Sequence, residues 1–474
     1  MKTLKFNSKP QAFTFIFQFL SAISGFLSIG ILLFSLSLEA QQIIPNSEPF
    51  EDDTFTKFVE KLTYVTHLPL IEKQALTRGF AASEPWSGSY WPTYRGLLGN
   101  RYASSTFAKS KRFLENYQSV QSYPASSLVA AGRISELSPS EKYDLLVGDT
   151  SWALTRFMWD KGFRALQQNG VVAGWTGICH GWAAAASMDP TSPYSAVSVT
   201  DVTGRYDVTF YANDIKALLS FLWAESAPSA FRAGNRCRKY HVPTDAYDRP
   251  TDRPCLDTNP MTWHLALVNR IGIKKMSLVM DASAGTEVWN YPITGYDYHY
   301  FDPKTYAPAT DLESAVRPIN EIPNDRFRAY RSRKAKYLVG IIMDTYHPAL
   351  TQPTRGNTNH IVTSKKTFIY DLELDETYNV VGGEWYSHET PDFIWSFATG
   401  SRAGTREAVR LMADEQNWDA NRKMSEPIAT MARQASQRGE VLSSIVQALL
   451  NSSKKSQPEP TPDDERNVEE EINP

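Results

Sequence analysis

Apolar residues recur at the three- and four-residue spacing of an amphipathic helix in several parts of the chain. The spacing predicts a packing helix at 55–68 that ends before a proline. The Ser-Pro-Ser-Glu sequence at 138–141 is typical of a helix cap and first turn, and it leads into helical spacing at 150–163. Another helix is predicted at 214–224, and helical spacing returns within 402–451.

After residue 262 the pattern changes to that of short strands. Segments 263–268 and 276–280 read as two adjacent antiparallel strands joined at Gly272. Further strands are predicted at 288–292, 337–343, 367–374 and 380–385. Because helices dominate the first half of the chain and strands the second, the pattern favours an α+β fold.

The N-terminus has the composition of an export segment. Three lysines at positions 2, 5 and 9 precede an uncharged stretch at 13–38, and Ala40 offers a small residue for cleavage. The alternative is an uncleaved anchor, because 26 uncharged residues could span a bilayer. Under both interpretations the folded part lies outside the cytoplasm, either secreted or at the periplasm or cell surface.

Composition suggests five regions. The last residues are dominated by Ser, Pro, Lys, Asp and Glu, which cannot bury a core, so we expect a disordered tail. The expected regions are an export signal or anchor at 1–40, an N-terminal region at 41–135, a catalytic core at 136–400, a C-terminal helical region at 401–452 and the tail at 453–474.

The charges of the chain nearly balance. Lys and Arg number 49 against 52 Asp and Glu, which leaves a formal charge of -3. Such a chain has no global field to attract a polyanion, so we expect no nucleic-acid partner. We expect membrane contact only through the N-terminal segment, if that segment stays uncleaved.

Three cysteines are an odd number for an oxidising compartment. Cys237 and Cys255 have polar flanks and are separated by a Pro- and Asp-rich segment, which suits a disulfide across a surface loop. Cys179 is then left over. It lies in the sequence Trp-Thr-Gly-Ile-Cys-His-Gly-Trp, followed by four alanines.

Cys179 is the candidate nucleophile. The alanine-rich stretch predicts a helix that begins at or just after Cys179, where the helix dipole and free amides favour the thiolate. A buried structural cysteine is the alternative interpretation. The candidate base is His264, at the start of a predicted strand, and Asp281 at the end of the next strand would orient its imidazole.

The order Cys, His, Asp is similar to that of the papain-like superfamily, with a helix-borne cysteine packed on an antiparallel sheet. His180 is a competing base, but neighbours in sequence point to different faces, so we assign it a supporting or oxyanion role. We expect the Cys179 amide to be the oxyanion donor, helped by an unidentified side chain. Ala173 stands where papain-like proteases carry Gln, which argues against an ordinary protease.

Four tryptophans flank the predicted triad. They predict an aromatic-walled channel that excludes water from a thioester, although each could equally be a core residue. They are Trp175 and Trp182 around the cysteine, Trp263 beside the histidine and Trp289 after the aspartate.

Four longer motifs carry a family resemblance. Pro85-Trp-Ser-Gly-Ser-Tyr-Trp-Pro-Thr-Tyr94, Gly177-Ile-Cys-His-Gly-Trp182, Asn213-Asp-Ile-Lys-Ala-Leu218 and Val288-Trp-Asn-Tyr-Pro292 resemble those of the oomycete-type transglutaminase elicitor family, which has bacterial members. The likeness runs from about residue 60 to 400. It implies a protein-glutamine γ-glutamyltransferase that joins Gln and Lys side chains of protein substrates through a Cys179 thioester.

The resemblance also makes calcium a possible ligand, because some members of the family resemble calcium-dependent enzymes. No organic cofactor is expected. Asp245, Asp248 and Asp252 in the loop between the paired cysteines could supply oxygen ligands. EF-hand spacing is absent and the composition also fits an ordinary solvated loop, so no metal ligand is assigned.

Two other functions remain open at this point. The same three residues could serve a papain-like cysteine protease or a glutamine deamidase, with water as the acceptor. A non-enzymatic surface protein could instead use the aromatic loops for binding.

Overall fold

A computed structural model describes residues 47–59, 64–246, 249–283, 285–356, 361–387 and 389–454. The predicted export segment and the tail from residue 455 onward lie outside the described residues. None of the helices in the described ranges is long and apolar enough to cross a membrane.

The helices are concentrated before residue 230 and after residue 410. They are α1 Leu68–Lys73, α2 Phe113–Ser122, α3 Ala125–Ala130, α4 Pro139–Leu146, α5 Ala153–Asn169, α6 Cys179–Met188, α7 Ala212–Ser226, α8 Pro260–Ala266, α9 Leu312–Ala315, α10 Ala413–Gln416, α11 Glu426–Gln437 and α12 Ser443–Lys454. A π-helix, Leu267–Ile273, continues directly from α8.

Strands make up most of the second half. They are β1 Arg78–Phe80, β2 Val197–Thr200, β3 Asp207–Phe210, β4 Phe231–Gly234, β5 Leu278–Asp281, β6 Asn290–Ile293, β7 Gly295–Phe301, β8 Pro308–Ala309, β9 Arg317–Pro318, β10 Tyr337–Pro348, β11 Thr363–Leu374, β12 Val380–Gly382 and β13 Phe393–Ser396.

These strands form antiparallel sheets. A seven-stranded sheet has the order β1-β7-β10-β11-β12, with β8 paired to β7 and β9 to β10, and a four-stranded sheet has the order β4-β13-β5-β6. A two-stranded ribbon joins β2 to β3. The mixture of helices with antiparallel sheets agrees with the α+β prediction at this coarse level.

The four-stranded sheet separates two hydrophobic cores. Successive residues of a strand point to opposite faces. On β5, Val279 belongs to the core that contains the helices α4 to α7, α11 and α12. Its neighbours Leu278 and Met280 belong to the core that contains α8, the π-helix and the seven-stranded sheet. Which face a side chain takes therefore decides which of the two cores it joins.

Three helix predictions are confirmed. A capping box at Ser138 and Glu141 starts α4, with Pro139 in its first turn. Helix α5 covers most of the predicted 150–163 segment, and α7 contains all of 214–224. A buried ion pair of 2.5 Å between Lys142 and Asp214 joins α4 to α7.

Other element predictions were wrong in part. Pro69 lies in the first turn of α1 and starts a helix rather than ending one, and Phe55–Phe58 is a 3-10 turn. Within 402–451, regular helix is confined mainly to α11 and α12. The strand predictions at 337–343 and 367–374 are confirmed and extended by β10 and β11.

Candidate active site

Cys179 is the first residue of α6, as the sequence predicts. The chain enters the helix through a contact with the Tyr90 backbone, whose carbonyl accepts the Ile178 N–H at 2.7 Å. A Cβ added at Gly177 would lie 2.4 Å from the same Tyr90 oxygen, so this position requires glycine. The two residues before Cys179 are thus held against the 85–94 loop.

Helix α6 packs closely on α7. A Cβ at Gly181 would lie 2.2 Å from the Ser220 carbonyl oxygen, which shows how near the two backbones approach. The alanines at 183–186 are all buried and allow the same proximity along the helix. Cys179 is the free cysteine of the described chain, and it is 5% exposed.

The Cys179 sulfur is surrounded by hydrogen-bonding groups. Its thiol donates to the Val288 carbonyl at 3.6 Å, and the Asn290 side-chain Nδ2 donates to Sγ at 3.5 Å. Burial raises the pKa of the Cys179 thiol, while the Asn290 side chain and the backbone N–H groups of Asn290 and His180 oppose that rise. Burial outweighs these donors, so the resting form is the thiol.

Asp281 lies on the same side of the sheet as Cys179. It ends β5 and is the direct partner of Asn290 on β6, and paired residues of an antiparallel ladder share a face. Its Oδ1 accepts the Trp289 N–H at 2.8 Å and the Ser283 hydroxyl at 2.8 Å. Its Oδ2 is buried without a hydrogen-bond partner among the described residues.

The charge on Asp281 interacts with Cys179. Burial raises the pKa of the Asp281 carboxyl, and the Trp289 and Ser283 donors oppose that rise. The negative charge of Asp281 in turn raises the pKa of the Cys179 thiol. A buried carboxylate whose charge acts on the thiol, and which has one oxygen without a described partner, is suited to take up the proton of that thiol.

His264 does not lie where the sequence prediction put it. Segment 263–268 is not a strand, because the Asn259 side chain caps a helix at the Met261 N–H and Pro260 occupies its first turn. The ring of His264 packs against Tyr298 at 4.8 Å between centroids, and its Nδ1 lies 2.9 Å from the Tyr370 hydroxyl oxygen.

The structure therefore does not bring His264 to Cys179: its Nδ1 pairs with Tyr370, and its Nε2 has no hydrogen-bond partner among the described residues. The neighbours of His264 belong to the core on the other face of the four-stranded sheet. Burial lowers the pKa of His264 to about 3, so the ring is neutral at neutral pH. The described geometry brings Asp281 to Cys179 but leaves His264 in a separate aromatic environment.

Another buried histidine lies nearer to α6. The ring of His347 at the end of β10 packs 4.5 Å from that of Tyr291, which in turn contacts the Trp182 ring at 5.9 Å. Burial lowers the pKa of His347 to about 4. His180 is exposed at the second position of α6, and its backbone N–H, rather than its ring, faces the sulfur.

The four tryptophans divide into two groups. Trp182 and Trp263 are fully buried, and they lie in different cores. Trp175 and Trp289 are half-buried. Trp289 packs edge-on against Tyr90 at 5.2 Å, above the N-terminus of α6. Trp175 and Trp289, with Tyr90, are therefore the partly exposed aromatic residues near the start of α6, and the aromatic channel stays a prediction.

The predicted disulfide between Cys237 and Cys255 is present. Just before it, Arg236 donates to the Thr286 carbonyl at 2.7 Å and lies over the Trp175 ring at 5.4 Å. The cross-linked segment thereby contacts the loop between β5 and β6, which covers Cys179.

Metal ligation stays a prediction. In the described ranges no group of three or more His, Cys, Asp or Glu side chains is placed to hold a metal ion. Asp248 lies outside these ranges. Asp252 pairs with Lys239 at 2.5 Å, and Asp245 accepts a hydrogen bond from the Tyr330 hydroxyl.

Sequence reasoning missed Tyr90, Arg236 and Asn290. Asn290 could have been found by pairing the predicted strand 276–280 with 288–292, because that hairpin sets Asp281 opposite Asn290. Tyr90 lies within the 85–94 motif, but its contact with Trp289 comes from a distant segment, and no local signal marks Arg236.

A free thiol at a helix N-terminus, beside a carboxylate and against an antiparallel sheet, defines a candidate cysteine-dependent site. The transglutaminase elicitor family model matches residues 59–411, and the chain belongs to that family. The fold is similar to that of the GP42 transglutaminase from Phytophthora sojae, with a TM-score of 0.54 and 19% identity over 86% of this chain and 98% of that one. No curated protein sequence matches the chain.

Proposed function

We propose that this protein is a protein-glutamine γ-glutamyltransferase in which Cys179 carries the acyl group as a thioester. Membership of the transglutaminase elicitor family supports a transglutaminase-like function. The observation that carries the proposal is the Cys179 sulfur, which has N–H donors around it and the Asp281 carboxylate nearby. A helix-borne cysteine against an antiparallel sheet is also the arrangement of papain-like enzymes.

In the proposed first step, Cys179 gives its proton to Asp281 and attacks the carboxamide carbon of a glutamine side chain. The carbon–sulfur bond forms, the carbon–nitrogen bond breaks, and the nitrogen leaves as ammonia with the proton from Asp281. His347 is the alternative proton acceptor. Asp281 is favoured because its side chain shares the sheet face and direct strand pairing of Asn290, which contacts the sulfur.

In the second step, a lysine amine attacks the thioester, and the proton it loses returns to the sulfur. Water is the competing acceptor. Trp289 and Tyr90 support transfer over hydrolysis, because their rings pack together beside the backbone groups that contact Cys179 and Ile178, and apolar surroundings disfavour water. The substrates of the proposed reaction are therefore protein-bound Gln and Lys.

We also propose that the protein acts after export. The disulfide between Cys237 and Cys255 is consistent with an oxidising compartment. The export segment itself lies outside the described residues, so mass spectrometry of the mature N-terminus of the exported protein tests this part separately.

The transfer reaction is tested by incubating the purified protein with casein and a biotinylated alkyl amine. We expect the amine to be incorporated by the wild-type protein and not by Cys179→Ala. Incorporation by Cys179→Ala would overturn the proposal. Ammonia release without incorporation in the presence of the amine would instead assign a deamidase, and new peptide ends would assign a protease.

A further inference from the structure

The side chain of Asn290 is fixed with its nitrogen toward Cys179. Its Oδ1 accepts a hydrogen bond of 2.7 Å from the Trp395 indole Nε1. An indole nitrogen can only donate, so this bond requires the oxygen of the amide on the tryptophan side. The Nδ2 group is then the one at 3.5 Å from the Cys179 sulfur.

This orientation is maintained by buried structure. Asn290 is 4% exposed, and turning its amide over would bring two donors together at Trp395. Trp395 is held in the middle of the four-stranded sheet, where β13 pairs with both β4 and β5. Its ring packs edge-on against Phe397 at 5.5 Å. The donor that faces the sulfur therefore needs little reorganisation when charge develops.

The reaction proposed above, on which this inference rests, develops negative charge at two places. The first is the sulfur, once its proton has left. The second is the glutamine carbonyl oxygen, which takes the π-electron pair as the carbon–sulfur bond forms and returns it as ammonia leaves. A donor beside the sulfur is within reach of both positions, and neither charge is present before the reaction starts, since the resting form of Cys179 is the thiol.

We propose that the Asn290 side-chain amide stabilises this charge, together with the backbone N–H of Cys179, and that Trp395 is the positioning residue that holds it. The first N–H groups of a helix have no intrahelical acceptor, so the Cys179 N–H at the start of α6 is suited to the second donor role. From the sequence we expected an unidentified side chain to help the Cys179 amide as oxyanion donor, and Asn290 takes that role in this proposal.

The direct test compares wild type with Asn290→Ala and with the nearly isosteric Asn290→Asp. Loss of one such donor lowers kcat on the order of 10²–10³-fold, and we expect this for Asn290→Ala with little change in KM. Asn290→Asp removes the donor and adds a negative charge, so its kcat falls at least as far. Values of kcat near wild type in both folded variants would overturn the proposal.

Trp395→Phe tests the positioning role, since it keeps an aromatic ring and removes the indole donor. We expect a lower kcat, an unchanged KM and a Cys179 thiol pKa shifted upward. Trp418→Phe is the matched control, because Trp418 is equally buried and its Nε1 donates at 3.0 Å to the Arg422 carbonyl, away from the site. Equal effects of the two substitutions would show that Trp395 contributes only packing and does not position Asn290.

A second measurement does not depend on transfer. The rate of Cys179 alkylation by iodoacetamide, followed against pH, gives the thiol pKa, and we expect it to rise in Asn290→Ala and Asn290→Asp. If wild type transfers no amine yet these pKa shifts appear, the transferase proposal fails while the role of Asn290 at the sulfur stands. If transfer occurs and neither the pKa nor kcat moves, Asn290 has no such role.

Discussion

Asp281 and Asn290 are direct partners across β5 and β6, and both side chains face the N-terminus of α6. One supplies a buried carboxylate oxygen without a described partner, and the other supplies an amide donor to the Cys179 sulfur. A single pair of strands therefore places a carboxylate and a hydrogen-bond donor on the side of one thiol. This pairing is the basis for the first prediction.

Asp281→Asn should lower kcat for amine incorporation on the order of 10²–10⁴-fold, because the isosteric amide cannot take the thiol proton. In wild type, activity should fall as the pH drops through the pKa of Asp281, which burial raises above its usual range. A pH profile of kcat/KM measures this loss of activity towards acidic pH. Asp297→Asn, at a half-buried position on β7 where the carboxylate pairs with Arg78, is the control and should leave the profile unchanged.

His347→Gln separates the two proton acceptors. If Asp281 takes the proton, His347→Gln should retain kcat within about one order of magnitude of wild type, because the change alters the packing on Tyr291 and the contact with the Pro348 carbonyl rather than the sulfur. A loss in His347→Gln with full activity in Asp281→Asn would assign the proton to His347. Both variants are assayed for amine incorporation at saturating substrate.

His264→Gln should affect stability against pH rather than catalysis. His264 is neutral when folded, with a pKa near 3, and the unfolded chain takes up a proton at about 6.5. The unfolded state thus binds more protons, so stability falls as the pH drops below 6.5. The contribution is about 2 kcal/mol between pH 7 and pH 5.

Urea unfolding at these two pH values measures the effect, and the difference between wild type and His264→Gln isolates this one group. Amine incorporation by the variant should remain near wild type. An inactive but folded His264→Gln protein would restore the triad that the sequence order suggested.

Gly181→Ala should separate α6 from α7. The added Cβ would lie 2.2 Å from the Ser220 carbonyl oxygen, so the helices must move apart at a cost of roughly 1–3 kcal/mol. Because Cys179 lies one half-turn away, activity should fall as well. Gly174→Ala is the control, since its Cβ would meet nothing within 4 Å. Thermal unfolding and amine incorporation of both variants test this expectation.

Removing the disulfide by Cys237→Ser with Cys255→Ser should destabilise the protein by about 3 kcal/mol, the usual effect for a loop of this length. The loop between β5 and β6 should also loosen, because Arg236 next to the disulfide holds the Thr286 carbonyl. Faster alkylation of Cys179 in the double variant would report that loosening. An unchanged alkylation rate would show that the loop is held by its other contacts.

The sequence located the start of α6 at Cys179 correctly because the signal for it is local. A free cysteine immediately before a run of alanines indicates a helix start, and α6 begins there. The cap of α4 was equally local, with Ser138 and Glu141 three residues apart.

The position of His264 relative to Cys179 was not predicted, because it depends on long-range structure. A short apolar run such as 263–268 fits either a strand or a buried helix, and the cap at Asn259 decides for the helix. The surroundings of His264 and those of Cys179 then lie on opposite faces of the four-stranded sheet. Asn290 was missed for a similar reason, since its role requires the register of β5 and β6 and the indole of Trp395.

The burial of Cys179 also affects how well its thiol resists oxidation before a substrate binds. A thiol that is 5% exposed and bonded to the Val288 carbonyl is shielded from peroxide and from other disulfides. Low-pKa, accessible cysteines are the ones that oxidise to sulfenic acid, whereas here the resting pKa is raised. The loop between β5 and β6, through the Val288 carbonyl, therefore also protects the sulfur from oxidation.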